Sequence, residues 1–161
     1  MNQLSFDIFA PTTVEDIDAV RQLFMAYASG LGIDLCFQDF DNELAHLPER
    51  YAAPRGALIA ARVQDQMAGC CGLRPLDTVD YPNAAEMKRL YVGPKFRGLG
   101  LGRGLAEAIL DAARQANYDV VLLDTLNEME TARALYEDLG FVEIPPYYHS
   151  PIEGAHNLMV R

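Results

Sequence analysis

The sequence predicts a mixed α/β fold, and three observations carry that expectation. Short apolar runs of strand length recur at Leu58–Val63, Met67–Leu73 and Val120–Leu123. Between and around them, Ile17, Val20, Phe24 and Tyr27, and again Leu101, Leu105, Ala108, Ile109 and Ala112, repeat at helical spacing. No internal repeat or interdomain linker interrupts the 161 residues, so residues 1–161 read as a single domain, long enough for a sizeable core.

Leu4, Phe6 and Ile8 alternate with polar neighbours as a first strand ended by Pro11. Thr13, with Asp16 three residues on, starts the first helix, and Gly30 and Gly32 stop it. Residues 33–55 mix acids and aromatics (Asp34, Phe37, Asp39, Phe40, Asp41, Glu43) and read as a loop and a short helix before Pro54 and Gly56. The two apolar runs at 58–63 and 67–73, separated by Gln64-Asp65-Gln66, predict an antiparallel hairpin. Ala85 to Val92 is the next strand; strict alternation puts Glu86, Lys88, Leu90 and Val92 on one face and Met87, Arg89 and Tyr91 on the other. A helix from about Gly100 to Gln115 follows, then a central strand from Val120 to Leu123. Ala132, Leu135, Tyr136 and Leu139 mark a last helix ending at Gly140 in an αL cap, and Phe141–Ile144 and Asn157–Val160 are the closing strands.

Thirteen basic against 23 acidic residues give a net charge of -10, which excludes nucleic-acid binding through global charge. The N-terminus lacks the basic stretch and apolar run of a signal peptide, and no apolar run is long enough to span a bilayer, so the expectation is a cytoplasmic protein without a membrane partner. Three cysteines give neither a disulfide framework nor a metal-ligand spacing, and Cys70 and Cys71 point to opposite faces of one strand. His46 and His156 have no ligand partner at metal spacing, so no metal site is expected. Charge is unevenly spread: residues 1–50 carry 2 basic and 9 acidic groups, 51–116 carry 9 and 6, and 117–161 carry 2 and 8. Five cations, Lys88, Arg89, Lys95, Arg97 and Arg103, fall between 86 and 105, where Glu86 is the only acid, and an anionic ligand would dock there.

That stretch contains the sharpest motif, Leu90-Tyr91-Val92-Gly93-Pro94-Lys95-Phe96-Arg97-Gly98-Leu99-Gly100-Leu101-Gly102-Arg103-Gly104, in which a strand enters a glycine-rich turn and then an amphipathic helix. Exposed N–H groups of such a turn and the positive end of the helix dipole together suit phosphate groups. A P-loop needs Lys and Ser/Thr directly after its second glycine, whereas Gly98 is followed by Leu99-Gly100. The dinucleotide fingerprint G-x-G-x-x-G fails in every register, meeting Arg103, Leu105 or Glu107 at its last position. What is left, Arg97-x-x-Gly100-x-Gly102, resembles the signature Arg/Gln-x-x-Gly-x-Gly/Ala of the GNAT superfamily of acetyl-CoA-dependent N-acetyltransferases. Leu135-Tyr136-Glu137-Asp138-Leu139-Gly140-Phe141 is similar to the same family's last-helix motif, and the element order agrees. Many members carry Asn seven residues before the tyrosine, where this chain has Met129.

The resemblance implies a mostly antiparallel central sheet of about seven strands flanked by helices, and acetyl-CoA as co-substrate. Backbone N–H groups of Arg97, Gly98, Leu99, Gly100, Leu101 and Gly102, with Arg103, would hold the coenzyme A pyrophosphate. Leu90, Tyr91 and Val92 would pair with the pantetheine amides, and a main-chain N–H near Leu90 would polarise the thioester carbonyl. Tyr136 is implied as general acid for the departing thiolate, although its place on the apolar face suits core packing equally. Glu86 is the candidate base for the acceptor ammonium, or else a charge paired with Lys88 or a cross-strand neighbour. Asp34 to Glu43 would line an amine pocket or form a solvated helix with Phe37 and Phe40 in the core, and Tyr147, Tyr148 and His149 are candidates on the acceptor side.

The function expected is acetyl transfer to a primary amine, most simply a small molecule, by direct attack in a ternary complex. No cysteine lies in the motifs to carry an acetyl group. A peptide or protein acceptor, and a non-catalytic acyl-CoA sensor, are the alternatives, and a homodimer is left open.

Overall fold

The computed structural model describes residues 6–31, 40–76, 81–126, 130–145 and 155–160. The chain runs β1 (Phe6–Phe9), α1 (Val14–Leu31), α2 (Phe40–Ala45), α3 (Leu47–Arg50), β2 (Ala57–Val63), β3 (Gln66–Pro75), β4 (Ala84–Val92), α4 (Leu101–Gln115), β5 (Val120–Leu126), α5 (Glu130–Asp138), β6 (Val142–Ile144) and β7 (Ala155–Val160). The strands form one seven-stranded sheet in the order β1-β2-β3-β4-β5-β7-β6. Only β4 and β5 pair in parallel; every other neighbouring pair is antiparallel. This is the mixed, mostly antiparallel sheet that the sequence implied.

Local chemistry accounts for the element ends. Asp16 N–H donates to Thr13 Oγ1 at 3.1 Å, capping α1. Gln64 and Asp65 both adopt positive φ, 48° and 65°, as a two-residue hairpin turn between paired strands requires. The turn is thus one residue shorter than the sequence suggested, because Gln66 already pairs with Val63. Gly140 stands at φ 98° after α5, with Phe141 N–H donating to Tyr136 O and Gly140 N–H to Glu137 O, both at 3.0 Å. That double closure is a Schellman cap.

Two apolar layers cover the sheet. On one face α4 buries Leu101, Leu105, Ala106, Ile109, Leu110 and Ala113 against Val63, Leu73, Met87, Val121 and Leu123. Its buried stripe lies slightly off the expected one: Ala108 and Ala112 are half-buried, while Ala106, Leu110 and Ala113 are inside. Each Leu or Ile so enclosed contributes about 1.5–3 kcal/mol. On the opposite face Val20 and Phe24 of α1, Phe40 of α2 and Leu47 of α3 close over Leu58, Ala60 and Cys70. Residues 40–50 form two short helices, where the sequence suggested one.

The strict alternation expected along β4 does not hold. Cys70 pairs with Tyr91 but Gly72 pairs with Lys88, so two steps on β3 match three on β4. The extra residue is accommodated by Arg89, at φ 61°, as a β-bulge. In consequence Met87, Leu90 and Val92 share the α4 face, whereas Glu86, Lys88, Arg89 and Tyr91 are gathered on the α1–α3 face. A bulge leaves no periodicity signal in the sequence, so alternation assigned Arg89, Leu90, Tyr91 and Val92 to the wrong partners.

Candidate active site

The site begins where two parallel strands part. Ala84, Ala85 and Glu86 pair with Val120, Val121 and Leu122, and no further β4–β5 pair is formed among the described residues. Beyond that point β4 continues to Val92 while β5 runs on to Leu126 beside β7. Gly93 N–H donates to Ala68 O at 2.8 Å on the β3 side, so strand alternation turns the N–H and C=O of Val92 the other way, towards the gap. A slot edged by backbone hydrogen-bonding groups results.

At the end of β4 a single 3-10 turn, Pro94–Phe96, leads into the glycine-rich turn. Arg97 Nε donates to Val92 O at 3.1 Å, and its guanidinium lies 5.9 Å from the Tyr91 ring centre. Gly98 and Gly100 take φ of 86° and 84°, and a Cβ built on either would meet nothing within 4 Å. Glycine is needed here for the backbone angle, and open space lies beside it. The first hydrogen bond of α4 runs from Gly104 N–H to Gly100 O, and no side chain caps the helix. The N–H groups of Leu101, Gly102 and Arg103 therefore precede the intrahelical ladder and face an open N-terminus. Arg103 is exposed and pairs with Asp138 of α5 and, at 3.8 Å, with Glu107.

On the α1–α3 face, under the parting strands, lies a buried charged cluster. Glu86 is fully buried, with Oε1 accepting from Arg74 Nε at 3.0 Å and Nη2 at 2.9 Å. Lys88 Nζ is 3.7 Å from the same oxygen. Arg89 forks onto Glu43, Nε to Oε2 and Nη2 to Oε1, both at 3.0 Å, and Tyr51 Oη donates to Oε2 at 2.8 Å. Burial pushes the Glu43 carboxyl up, but Arg89 and Tyr51 together outweigh it and hold the group below its ordinary range. Burial and the Glu43 charge push the Tyr51 phenol well up, keeping it a donor. Cys70 Sγ lies 3.5 Å from Arg89 O and Cys71 Sγ 3.7 Å from Lys88 O, so both thiols face carbonyls of the bulge.

Residues 17–141 match the acetyltransferase (GNAT) family. The chain belongs to that family. A Schizosaccharomyces pombe protein named as an N-acetyltransferase is 37% identical over 153 residues, covering 94% of this chain and 92% of that one. A GNAT-family acetyltransferase from Staphylococcus aureus superposes with a TM-score of 0.78 at 19% identity, covering 96% and 98% of the two chains. An acetyltransferase from Salmonella typhimurium, solved with its cofactor acetyl-CoA, superposes with a TM-score of 0.70 at 17% identity over 98% and 94%. These two share the fold.

Within this GNAT acetyltransferase, the residues singled out from sequence fall in four places. Arg97 to Arg103 form the turn and the start of α4; Leu90, Tyr91 and Val92 form the end of β4, with Tyr91 on the face opposite its two neighbours; Glu86 lies in the charged cluster. Tyr136 on α5 is 5% exposed and packs edge-on to Phe141, ring centres 5.6 Å apart, within the α4-side core. Asp34, Phe37, Asp39, Met129, Tyr147, Tyr148 and His149 lie outside the described residues, as does the side chain of His156. Among the described residues no three His, Cys, Asp or Glu groups could hold a metal ion, and no helix is long and apolar enough to cross a membrane.

Sequence reasoning missed Glu43, Tyr51 and Arg74 as members of the cluster. Asp34 to Glu43 was expected to line an amine pocket or to form a solvated helix; Glu43 is 2% exposed, so it does not sit on a solvated face. Its signal was present: Phe40, Glu43 and Leu47 lie at i, i+3 and i+7, which puts the carboxylate on the apolar side. An acid so placed needs a buried cation.

Proposed function

We propose that this acetyltransferase moves an acetyl group from acetyl-CoA to the primary amine of a small molecule, by direct attack in a ternary complex, with residues 1–161 acting as one catalytic domain. The observation that carries the reading is the juxtaposition of the uncapped α4 N-terminus with the gap between β4 and β5. Acetyl-CoA, the family's co-substrate, supplies an acetyl group activated as a thioester. The N–H groups of Arg97 to Arg103 suit its pyrophosphate, since Gly98 and Gly100 leave the approach clear of any Cβ. The exposed Lys95 and Arg97 add positive charge beside it.

Edge groups of Leu90 and Val92 would take the pantetheine amides in the manner of an adjoining strand. Near Leu90, a bulge N–H would stabilise charge on the thioester oxygen. Glu86 would receive the proton that the acceptor ammonium must lose before attack, directly or through water, and the Tyr136 hydroxyl would give one to the departing thiolate. A fully buried Glu86 favours an acceptor small enough to enter the sheet's interior. A cytoplasmic location belongs to the same proposal.

The test is calorimetric titration with acetyl-CoA, followed by thiol release against spermidine, free amino acids and lysine-containing peptides. Binding with turnover of a free amine is expected, and a folded Arg97→Glu variant should bind acetyl-CoA at least about tenfold more weakly. Unchanged affinity in that variant overturns the cofactor assignment; peptides turning over far better than free amines overturn the small-molecule acceptor.

A further inference from the structure

The one strained residue of β4 is also the one most heavily anchored from outside the sheet. Arg89 holds φ at 61°, a left-handed conformation that a residue with a side chain adopts only when its surroundings enforce it. Its side chain is 3% exposed and reaches into the α1–α3 layer. There it forks onto Glu43 of α2, and it lies 5.2 Å from the ring centre of Phe40 and 5.7 Å from that of Tyr27. Glu43 is itself fixed by Tyr51. Four contacts from two helices, α1 and α2, thus converge on the residue that makes the bulge.

The bulge decides what the slot presents. Were β4 to relax to regular pairing, the residues after Arg89 would shift by one place, and Leu90 and Val92 would leave the α4 face. Their edge groups would turn with them. We propose that Glu43, acting through Arg89, is a positioning residue for acetyl transfer: the Glu43–Arg89 clamp holds the β4 bulge in the shape from which its N–H near Leu90 meets the thioester oxygen. This rests on the acetyl-transfer reading above. Neither side chain needs to touch the donor. Arg forms the clamp where Lys would not, because its two parallel N–H groups fix both the position and the tilt of the chain they hang from.

The decisive comparison is between Glu43→Gln/Arg89→Gly and Glu43→Gln/Arg89→Ala. Both lack the clamp, and neither leaves a buried charge alone. They differ in whether position 89 adopts a positive φ at no cost, which glycine does and alanine does not. Thiol release from acetyl-CoA is followed with the free amine that the wild type uses best, and acetyl-CoA affinity is measured by calorimetry. The alanine double variant should lose at least about tenfold in kcat and bind acetyl-CoA more weakly, since the Leu90 and Val92 edge groups turn with the bulge, and the glycine double variant should return to within about threefold of wild type in both. Equal losses in the two, or no loss in either, overturn the proposal.

If the double variants do not fold, Arg89→Lys keeps the charge opposite Glu43 but not the fork. Its kcat should fall at least about fivefold, and wild-type kcat there overturns the proposal. A wild type that neither binds acetyl-CoA nor releases thiol overturns the acetyl-transfer reading itself, and this inference with it.

Discussion

Arg74 and Glu86 stand opposite each other on β3 and β4, and both donors of the Arg74 fork end on one oxygen, Oε1, of Glu86. Lys88 approaches that same oxygen. The carboxylate is therefore oriented by two cations on one of its atoms, an arrangement that holds a proton acceptor at a fixed place in a buried site. Glu86→Gln keeps an oxygen for Arg74 and removes the charge. Turnover should drop about 100-fold at saturating acetyl-CoA, while acetyl-CoA affinity is unchanged. Turnover within twofold of wild type would leave Glu86 as a counter-ion to Arg74 and Lys88.

The two glycines of the signature behave differently because their backbones differ. Gly100 is the α4 N-cap at φ 84°, so Gly100→Ala should cost about 1–2 kcal/mol although its Cβ meets nothing. Gly102 lies within the helix, and a Cβ there would make ordinary contacts, 3.7 Å to Leu135 and 4.0 Å to Val92. Gly102→Ala should leave stability unchanged or raise it by up to about 1 kcal/mol. Urea unfolding of the two variants checks the order, which a larger loss at Gly102 would reverse.

How much of this was legible beforehand follows from what each feature writes into the sequence. The turn from Arg97 to Gly102 could be read because its geometry demands glycine and its chemistry demands little else. The α5 end could be read for the same reason, from Gly140. Partners of Glu86 were within reach as well, since a hairpin register sets Arg74 across from it. The bulge at Arg89 was not legible: positive φ at an arginine is imposed by tertiary contacts, and periodicity assigns such a residue to the wrong face. Nor was the Glu43–Arg89 pair, which joins positions 46 apart through a packing of α2 on the sheet that no local pattern encodes.

Tyr136 carries two roles that one atom separates. Its ring packs against Phe141 in the core, while the hydroxyl is the proposed acid. Tyr136→Phe keeps the ring, so unfolding free energy should change by no more than about 1 kcal/mol. The kcat should fall at least about tenfold, and most for poorly nucleophilic amines, where expulsion of the thiolate needs most help. A variant with wild-type kcat would assign Tyr136 to packing alone.

Burial pushes the thiols of Cys70 and Cys71 well above the ordinary range, and both are fully enclosed on opposite faces of β3. Thiolate is the reactive form, so both should resist an aromatic disulfide reagent in the native protein. With three cysteines in the chain, at most one equivalent should react before denaturation and all three after it. Rapid reaction of two thiols in the native state would contradict the placement of the bulge carbonyls against them.

The Glu43–Arg89 pair gives stability a definite dependence on pH. Because the folded-state pKa of Glu43 lies below its ordinary 4.5, the pair's contribution is complete above pH 4.5, where the carboxyl is ionised in both states. As pH falls below 4.5 the unfolded chain takes up its proton first, and the contribution is lost progressively down to the folded-state pKa. Near pH 7, Glu43→Gln should cost about 2–3 kcal/mol, since it leaves the buried Arg89 cation without its counter-charge. That gap should narrow steadily as the pH is taken from 5 to 3, because only the wild type has an ionised Glu43 to lose. Urea denaturation of both proteins across this range measures it, and a gap independent of pH would mean that the carboxyl does not titrate with unfolding.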